Sequence, residues 1–152
     1  MDRRANPALV DLHLTIDTEY AHTIEIDLHL NPDTVAYLDC RRLAYEEIGG
    51  ESFGVSRHRF RQGLTPETLD ELRRLLPSSP LAAPANAPCG LDGTAFTLTI
   101  GRGADACEYV WRARPPAAWA CVRDIVRLLV GSVSAAAGAE ILADLDQALV
   151  GW

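Results

Sequence analysis

Lysine is missing from this 152-residue chain, in which all fourteen basic residues are arginine. Its absence excludes a phosphate-binding loop that depends on lysine, a Schiff base and a lysine general base. The use of arginine alone, with abundant alanine and leucine, is typical of GC-rich bacterial coding sequences. The motifs G-x-S-x-G and H-E-x-x-H, which mark a hydrolase nucleophile and a zinc site, are also absent. These absences favour a non-enzymatic protein without excluding an enzyme, and they predict no cofactor.

Long apolar runs are also missing. No segment approaches the run of about 18 apolar residues that a membrane-spanning helix requires. The start, MDRRANPALVDLHL, has no apolar stretch before a small-residue cleavage site, as a secretory signal would. The sequence therefore predicts a cytoplasmic protein with no membrane partner.

The four cysteines do not have the spacing of a metal site. They are Cys40, Cys89, Cys107 and Cys121, and no two of them form a C-x-x-C pair. In a reducing compartment, cysteines at such positions behave as small buried apolar residues. A disulfide between Cys40 and Cys89 is the alternative if the protein is exported.

Positive charge is in the minority. The chain has 21 acidic residues against 14 arginines, which gives a net charge of −7 and disfavours binding to a nucleic-acid backbone. The one basic cluster, RHRFR at residues 57–61, favours a strand edge that resists aggregation over a nucleic-acid site. An acidic chain is compatible either with ordinary solubility or with a basic protein partner.

Alternating apolar residues predict two paired strands near the start of the chain. These residues are Leu12, Leu14, Ile16, Ile24, Ile26, Leu28 and Leu30. For all of them to share one face, the loop between the strands must hold an odd number of residues. A three-residue loop places His13 opposite Glu25, whereas a five-residue loop places His13 opposite Asp27 and Asp11 opposite His29. Both registers set a histidine against a carboxylate.

The segment NPDTVAYLDCRRLAYEEIGG allows two interpretations. A cap at Asn31, Pro32 in the first turn and the closing pair of glycines favour a helix. The alternative is a third strand through residues 34–40, because Arg41 and Arg42 interrupt the apolar stripe that a helix needs. The helix is preferred and the strand stays open. The following stretch, ESFGVSRHRFRQ, predicts a short strand or a loop.

Three further amphipathic helices are predicted. In GLTPETLDELRRLLPSS, Thr65 caps the helix and Pro66 occupies its first turn. In PPAAWACVRDIVRLLVG, the apolar residues recur at helical spacing and Gly131 ends the helix. A last helix covers about residues 137–149.

A second hairpin completes the predicted fold. In TAFTLTIGRGADACEYVWRA, matching the apolar faces pairs Phe96 with Trp111, Leu98 with Tyr109 and Ile100 with Cys107. Two hairpins followed by helices predict an α+β fold, in which an antiparallel sheet carries helices on one face. With 48% hydrophobic residues, residues 1–152 form one domain.

The outer face of the first hairpin contains the candidate site. Its candidate residues are all odd-numbered and therefore share one face: Asp11, His13, Glu25, Asp27 and His29. Such residues can hold a metal ion or exchange protons if three or more converge. The same pattern is expected of a solvated antiparallel sheet face, and of a face that binds another protein.

The order of elements over residues 63–130 resembles a known family. LTPETLDELRRLL, a variable loop, LDGTAFTLTIGRG, a second strand and PPAAWACVRDIVRLLV follow one another as in small bacterial proteins of the emfourin type, inhibitors of thermolysin-like metalloproteases. The resemblance covers under half of the chain, rests on cap and turn signals, and does not extend to residues 31–62 or the last helix. It implies a non-catalytic binding protein and assigns no inhibitory residues.

Three functional hypotheses follow. The first is a non-enzymatic binding module, such as an inhibitor or immunity protein, whose acidic hairpin face covers a basic protein partner. The second is a small metal-binding protein or enzyme that uses His13, Glu25, Asp27 and His29. The third is a structural subunit that dimerises through a sheet edge.

Overall fold

The computed structural model describes residues 11–18, 22–29, 36–76, 93–101 and 106–152, apart from the side chains of residues 45–48 and 52–57. Its elements are, in chain order, β1 (Asp11–Asp17), β2 (His22–His29), β3 (Tyr37–Ile48), β4 (Glu51–Gly63), α1 (Pro66–Leu75), β5 (Ala95–Ile100), β6 (Cys107–Arg112), α2 (Ala120–Ser132) and α3 (Ala139–Ala148). Short 3-10 turns at Ala117–Trp119 and Ala135–Ala137 precede α2 and α3.

The six strands form one antiparallel sheet in the order β4-β3-β2-β1-β5-β6. In the first hairpin His13 lies opposite Asp27, which is the register predicted for a five-residue loop. In the second hairpin Phe96 lies opposite Trp111, as predicted. β1 lies inside the sheet between β2 and β5, and so joins the first hairpin to the second. This sheet and its three helices confirm the predicted α+β fold class.

The preference for a helix after residue 31 is wrong, because residues 37–48 form a strand that pairs with β2 and β4. Successive side chains of a strand point to opposite faces, so Arg41 and Arg42 need not share one side. Arg41 reaches carboxylates on β2, and Arg42 reaches carboxylates on α3. The sheet therefore contains β3 and β4 in addition to the four strands of the two predicted hairpins. The cap signals at Asn31 and Pro32 lie outside the described residues.

β4 is longer than predicted, with thirteen residues along the edge of the sheet. The turn that connects it to β3 contains Gly49 and Gly50, whose φ angles of 63° and 82° suit glycine. Its pairing with β3 shifts register between Arg42 and Leu43. On the regular side of this shift, Arg59 and Arg61 lie on the same face of the sheet.

The helices begin largely where local signals place them. Thr65 caps α1, since its hydroxyl accepts a hydrogen bond of 3.2 Å from the Thr68 backbone N–H, and Pro66 is the first helical residue. α2 continues one residue past the predicted stop at Gly131, to Ser132. The buried side chains of α2 are Val122, Ile125, Val126 and Leu129, which recur at the helical spacing predicted for this segment.

One apolar core lies between the sheet and the helices. The strands supply the alternate residues Leu12, Leu14, Ile16, Ile24, Ile26, Leu28, Leu38, Phe96 and Leu98, all 1% exposed or less. Polar side chains on this same face also reach the helical layer: the Gln62 side-chain amide donates to the Ser132 carbonyl over 2.5 Å. Because the described helices pack on this side of the sheet, the opposite side carries the polar residues.

Cys40 is fully buried in this core with a free thiol, and burial raises the pKa of that thiol to about 12. Cys107 and Cys121 are half-buried free thiols. Cys89, and with it the second half of the proposed disulfide, lies outside the described residues. Within the part of the chain that the structure describes, no helix is long and apolar enough to cross a membrane.

Candidate functional site

The outer face is the side of the sheet opposite the described helices, over β1 to β4. All five predicted site residues lie on it, because each occupies an alternate position that the core does not use: Asp11, His13, Glu25, Asp27 and His29. Each of them is partly exposed. The structure thus brings the predicted residues together on one face, in two adjacent strands.

Asp27 is the centre of this face. One of its carboxylate oxygens, Oδ1, is hydrogen-bonded to Nδ1 of His13 on the neighbouring strand. The other, Oδ2, accepts a hydrogen bond of 3.0 Å from Nη2 of Arg41. The same Nη2 lies 2.8 Å from Oε2 of Glu25, so that one guanidinium forms ion pairs with two carboxylates. On the far side of the imidazole, the Thr15 hydroxyl lies 3.1 Å from Nε2 of His13.

This arrangement shifts the pKa values of both partners in the His13–Asp27 pair. The hydrogen bond with Asp27 raises the pKa of His13 above 6.5, although burial opposes the shift and the charge of Arg41 lowers it. Burial favours the neutral form of Asp27, but the hydrogen bond from His13 and the nearby positive charges prevail and lower its pKa below 3.8. A charged histidine and a charged carboxylate stabilise each other here.

The pair is expected to make the stability of the fold depend on pH in two opposite directions. Because the pKa of His13 is raised, its contribution is fully present below pH 6.5 and is lost as the pH rises through the folded-state pKa. Because the pKa of Asp27 is lowered, its contribution is present above pH 3.8 and is lost as the pH falls through the folded-state pKa.

The free energy of unfolding of wild type should therefore exceed that of His13→Gln most clearly between pH 3.8 and 6.5. Denaturant titrations of both proteins within this range and on either side of it measure the difference. A difference that stays constant across all of these pH values contradicts the pairing.

His29 and Asp11 form a looser pair at one end of the face. Nδ1 of His29 lies 4.0 Å from Oδ1 of Asp11, at the limit of an ion pair. The imidazole instead stacks on the ring of Tyr37, with 4.8 Å between the ring centroids. The guanidinium of Arg61 lies 4.6 Å from the centroid of the same ring, a cation–π contact. Tyr37 thus joins the second, third and fourth strands.

Asp39 is a residue of this face that the sequence analysis missed. Its carboxylate is only 7% exposed. It accepts hydrogen bonds from Nε of Arg59 over 3.0 Å, from Nη2 of Arg59 over 2.5 Å and from Nη2 of Arg61 over 3.1 Å. The hydrogen bonds from Arg59 are the main cause that lowers its pKa. The available signal was parity: in a strand, Asp39 and Arg41 fall on the same face.

The outer face is therefore divided by charge. β1 and β2 carry the carboxylates Asp11, Asp17, Glu25 and Asp27, whereas β3 and β4 carry the guanidiniums Arg41, Arg59 and Arg61 around the buried Asp39. The predicted acidic hairpin face is only the first half of a larger surface. The prediction could not include the second half because β3 was expected to be a helix.

The described residues of the outer face offer no ligand set for a metal ion. Among the described residues, no three His, Cys, Asp or Glu side chains are grouped so that they could hold one. Nδ1 of His13 is engaged by Asp27, and Nδ1 of His29 is the ring atom closest to Asp11. The metal-binding hypothesis accordingly gains no geometric support from this part of the chain.

No protein-family model matches the chain, and no curated protein matches it either. The emfourin-like order of residues 63–130 therefore stays a prediction from the sequence. The outer face has to be interpreted from its own geometry and charge.

Proposed function

We propose that this protein is a cytoplasmic, non-enzymatic binding module that covers a basic protein partner with its outer face, in the manner of an inhibitor or immunity protein. The observation that carries the proposal is the alignment of four carboxylates on β1 and β2: Asp11, Asp17, Glu25 and Asp27. Carboxylates aligned on one face accelerate the approach of a basic surface and fix its orientation.

The four aligned carboxylates, called here the acidic strip, keep a net negative charge. Arg41 offsets only one of the two carboxylates that it contacts, Glu25 and Asp27. Asp17 is exposed and accepts a hydrogen bond of 2.8 Å from the Thr23 hydroxyl, which leaves its charge in place. The strip therefore keeps a negative balance even after its internal ion pair is counted.

The second half of the face supplies the residue types that interfaces favour. Tyrosine and arginine contribute strongly to protein–protein binding. Here Tyr37 is held between His29 and Arg61, and Arg59 is fixed by Asp39. Side chains that are already ordered lose less conformational entropy when a partner binds.

The test is co-purification of the tagged protein from its native cells at low and at high salt, followed by mass spectrometry. A stoichiometric basic partner is expected at low salt, with loss at high salt because screening weakens exposed charge pairs. The double variant Asp17→Arg with Glu25→Gln should lose this partner at low salt as well. This double variant changes the charge of the strip by +3 and leaves Asp27 and His13 unchanged.

A matched control carries the same charge change elsewhere. Asp146→Arg with Asp70→Asn alters exposed residues on α3 and α1, away from the outer face. This control should retain the partner. Retention by the strip variant, or a protein that purifies alone at both salt concentrations, contradicts the proposal.

A further inference from the structure

The outer face contains an aspartate, a histidine and a hydroxyl in line. Asp27 Oδ1 engages Nδ1 of His13, and Nε2 of the same ring lies 3.1 Å from Oγ1 of Thr15. We propose that Thr15 is a nucleophile, activated by His13, that takes an acyl group from small activated esters. This inference goes beyond the proposed partner binding, with which it shares Asp27, and a single stoichiometric acylation does not make the protein an enzyme.

Each group in the line has a defined task. Asp27 accepts a hydrogen bond from the Nδ1–H of the neutral imidazole, which leaves the lone pair of Nε2 directed at the Thr15 hydroxyl. Arg41 holds the second oxygen of Asp27 over 3.0 Å and so fixes the orientation of the carboxylate. Asp27 and Arg41 are therefore positioning residues, and Thr15 and His13 are the groups that react.

The exposure of His13 and Thr15 to solvent supports the proposal. The side chain of His13 is 41% exposed, and Thr15 is partly exposed. The described helices pack on the opposite side of the sheet. A small ester can therefore reach the hydroxyl from solvent, whereas a hydroxyl of the core face could not be reached. An open face also offers little binding energy, so the expected substrates are reactive aryl esters rather than one tightly bound compound.

The chemical step is an acyl transfer. Oγ1 of Thr15 attacks the ester carbonyl carbon, and its proton passes to Nε2 of His13. The bond from that carbon to the aryl oxygen then breaks, and the leaving phenolate takes the bond's electron pair, while the proton on His13 is released to phenolate or solvent. The product is a threonine ester, which is less reactive than the aryl ester because an alkoxide is a poorer leaving group. One acyl group per chain is therefore expected, with slow hydrolysis by water.

The charged neighbours of His13 determine when the base is available. On β2, Asp27 and Glu25 favour the protonated imidazole, and on β3 Arg41 disfavours it. On β5 the facing residues are Thr99, opposite His13, and Thr97, opposite Thr15, and both are uncharged. Only the neutral imidazole can accept the proton, so acylation should increase with pH through a midpoint above 6.5.

The test is incubation with p-nitrophenyl acetate, with nitrophenolate release followed by absorbance and the acetylated residue located by peptide mass spectrometry. A burst that approaches one nitrophenolate per chain, with acetyl on Thr15, is the expected result. Thr15→Val should abolish the burst and Thr15→Ser should keep it. His13→Gln should slow it by roughly 10²-fold or more, the scale of general-base catalysis. Asp27→Asn should slow it at least about tenfold and alter the pH midpoint.

Thr99→Val is the matched control, since it removes a hydroxyl from the same face beside His13 without removing the proposed nucleophile. This variant should show the wild-type burst. Acetylation elsewhere with Thr15 unmodified, an equal burst in Thr15→Val, or a rate with no dependence on His13 overturns the proposal. Loss of the burst in Thr99→Val as well would also contradict it, because the effect would then be unspecific.

Discussion

Phe96→Ala is expected to lower the free energy of unfolding by about 3–5 kcal/mol, the usual cost of removing a large buried aromatic side chain. Phe96 is fully buried in β5, next to the central strand. Its ring lies nearly parallel to that of Trp111, with centroids 5.3 Å apart, and 4.9 Å from the ring of Trp152. A domain of this size is stable by only about 5–15 kcal/mol, so the loss is a large fraction of the total.

Guanidinium unfolding followed by far-UV circular dichroism measures the change. Val110→Ala is the control, because Val110 lies on the neighbouring strand β6 and is 52% exposed. Its change should stay below about 1 kcal/mol. Losses of similar size in both variants would contradict the assignment of Phe96 to the core, as would a loss under about 1 kcal/mol in Phe96→Ala.

The hairpins could be predicted from the sequence because the information that defines them is local. A period of two fixes which side of a strand faces the core, and parity then restricts the register to a few choices. The pair of Phe96 with Trp111 follows from this rule, and the pair of His13 with Asp27 is one of the two registers that the rule left open. The start of α1 was equally accessible, since Thr65 and Pro66 act within one turn.

The third strand was left as the alternative to a helix, and the sequence could not decide between them because the partners that stabilise the strand are distant in sequence. Arg41 and Arg42 were expected to disturb a helix, and this expectation treated them as residues of one stripe. In the sheet Arg41 forms ion pairs with Glu25 and Asp27 on the neighbouring strand β2. Arg42 forms an ion pair with Asp144 on α3, about a hundred residues later in the chain. Each arginine is satisfied only by tertiary contacts, and no local pattern in the sequence indicates them.

The candidate site shows the same limit. Parity placed Asp11, His13 and Asp27 on one face, and the structure places them there. Asp39 was missed because its two arginines come from β4, a strand that was expected to be short or a loop. The acidic half of the outer face was thus readable from the sequence, and the basic half was not.

The contact of Arg42 with α3 leads to the second large prediction. Arg42 is only 14% exposed, and its Nε donates to Oδ2 of Asp144 over 2.6 Å. Asp144→Ala should lower the free energy of unfolding by about 2–3 kcal/mol, because it leaves a guanidinium largely buried without its closest counter-ion. This loss lies below the 3–5 kcal/mol typical of a fully buried pair, since Asp144 itself is 23% exposed.

Glu140 provides an internal comparison within the same cluster. Its Oε2 lies 3.3 Å from Nη1 of Arg42, but its side chain is 79% exposed. Glu140→Ala should therefore change the free energy of unfolding by under about 1 kcal/mol, as is usual for exposed ion pairs. Equal losses of unfolding free energy for Glu140→Ala and Asp144→Ala would contradict the explanation that the greater burial of Asp144 makes its ion pair the stronger one.

The double variant Arg42→Met with Asp144→Leu separates the cost of an orphaned charge from the value of the ion pair. Replacing both partners with apolar residues of similar size removes the unpaired guanidinium together with its partner, so its stability should return toward that of wild type. Recovery means that the pair is needed mainly because Arg42 is there. If the double variant instead loses as much as Asp144→Ala, the pair itself attaches α3 to β3, and the explanation by an unpaired buried charge is wrong.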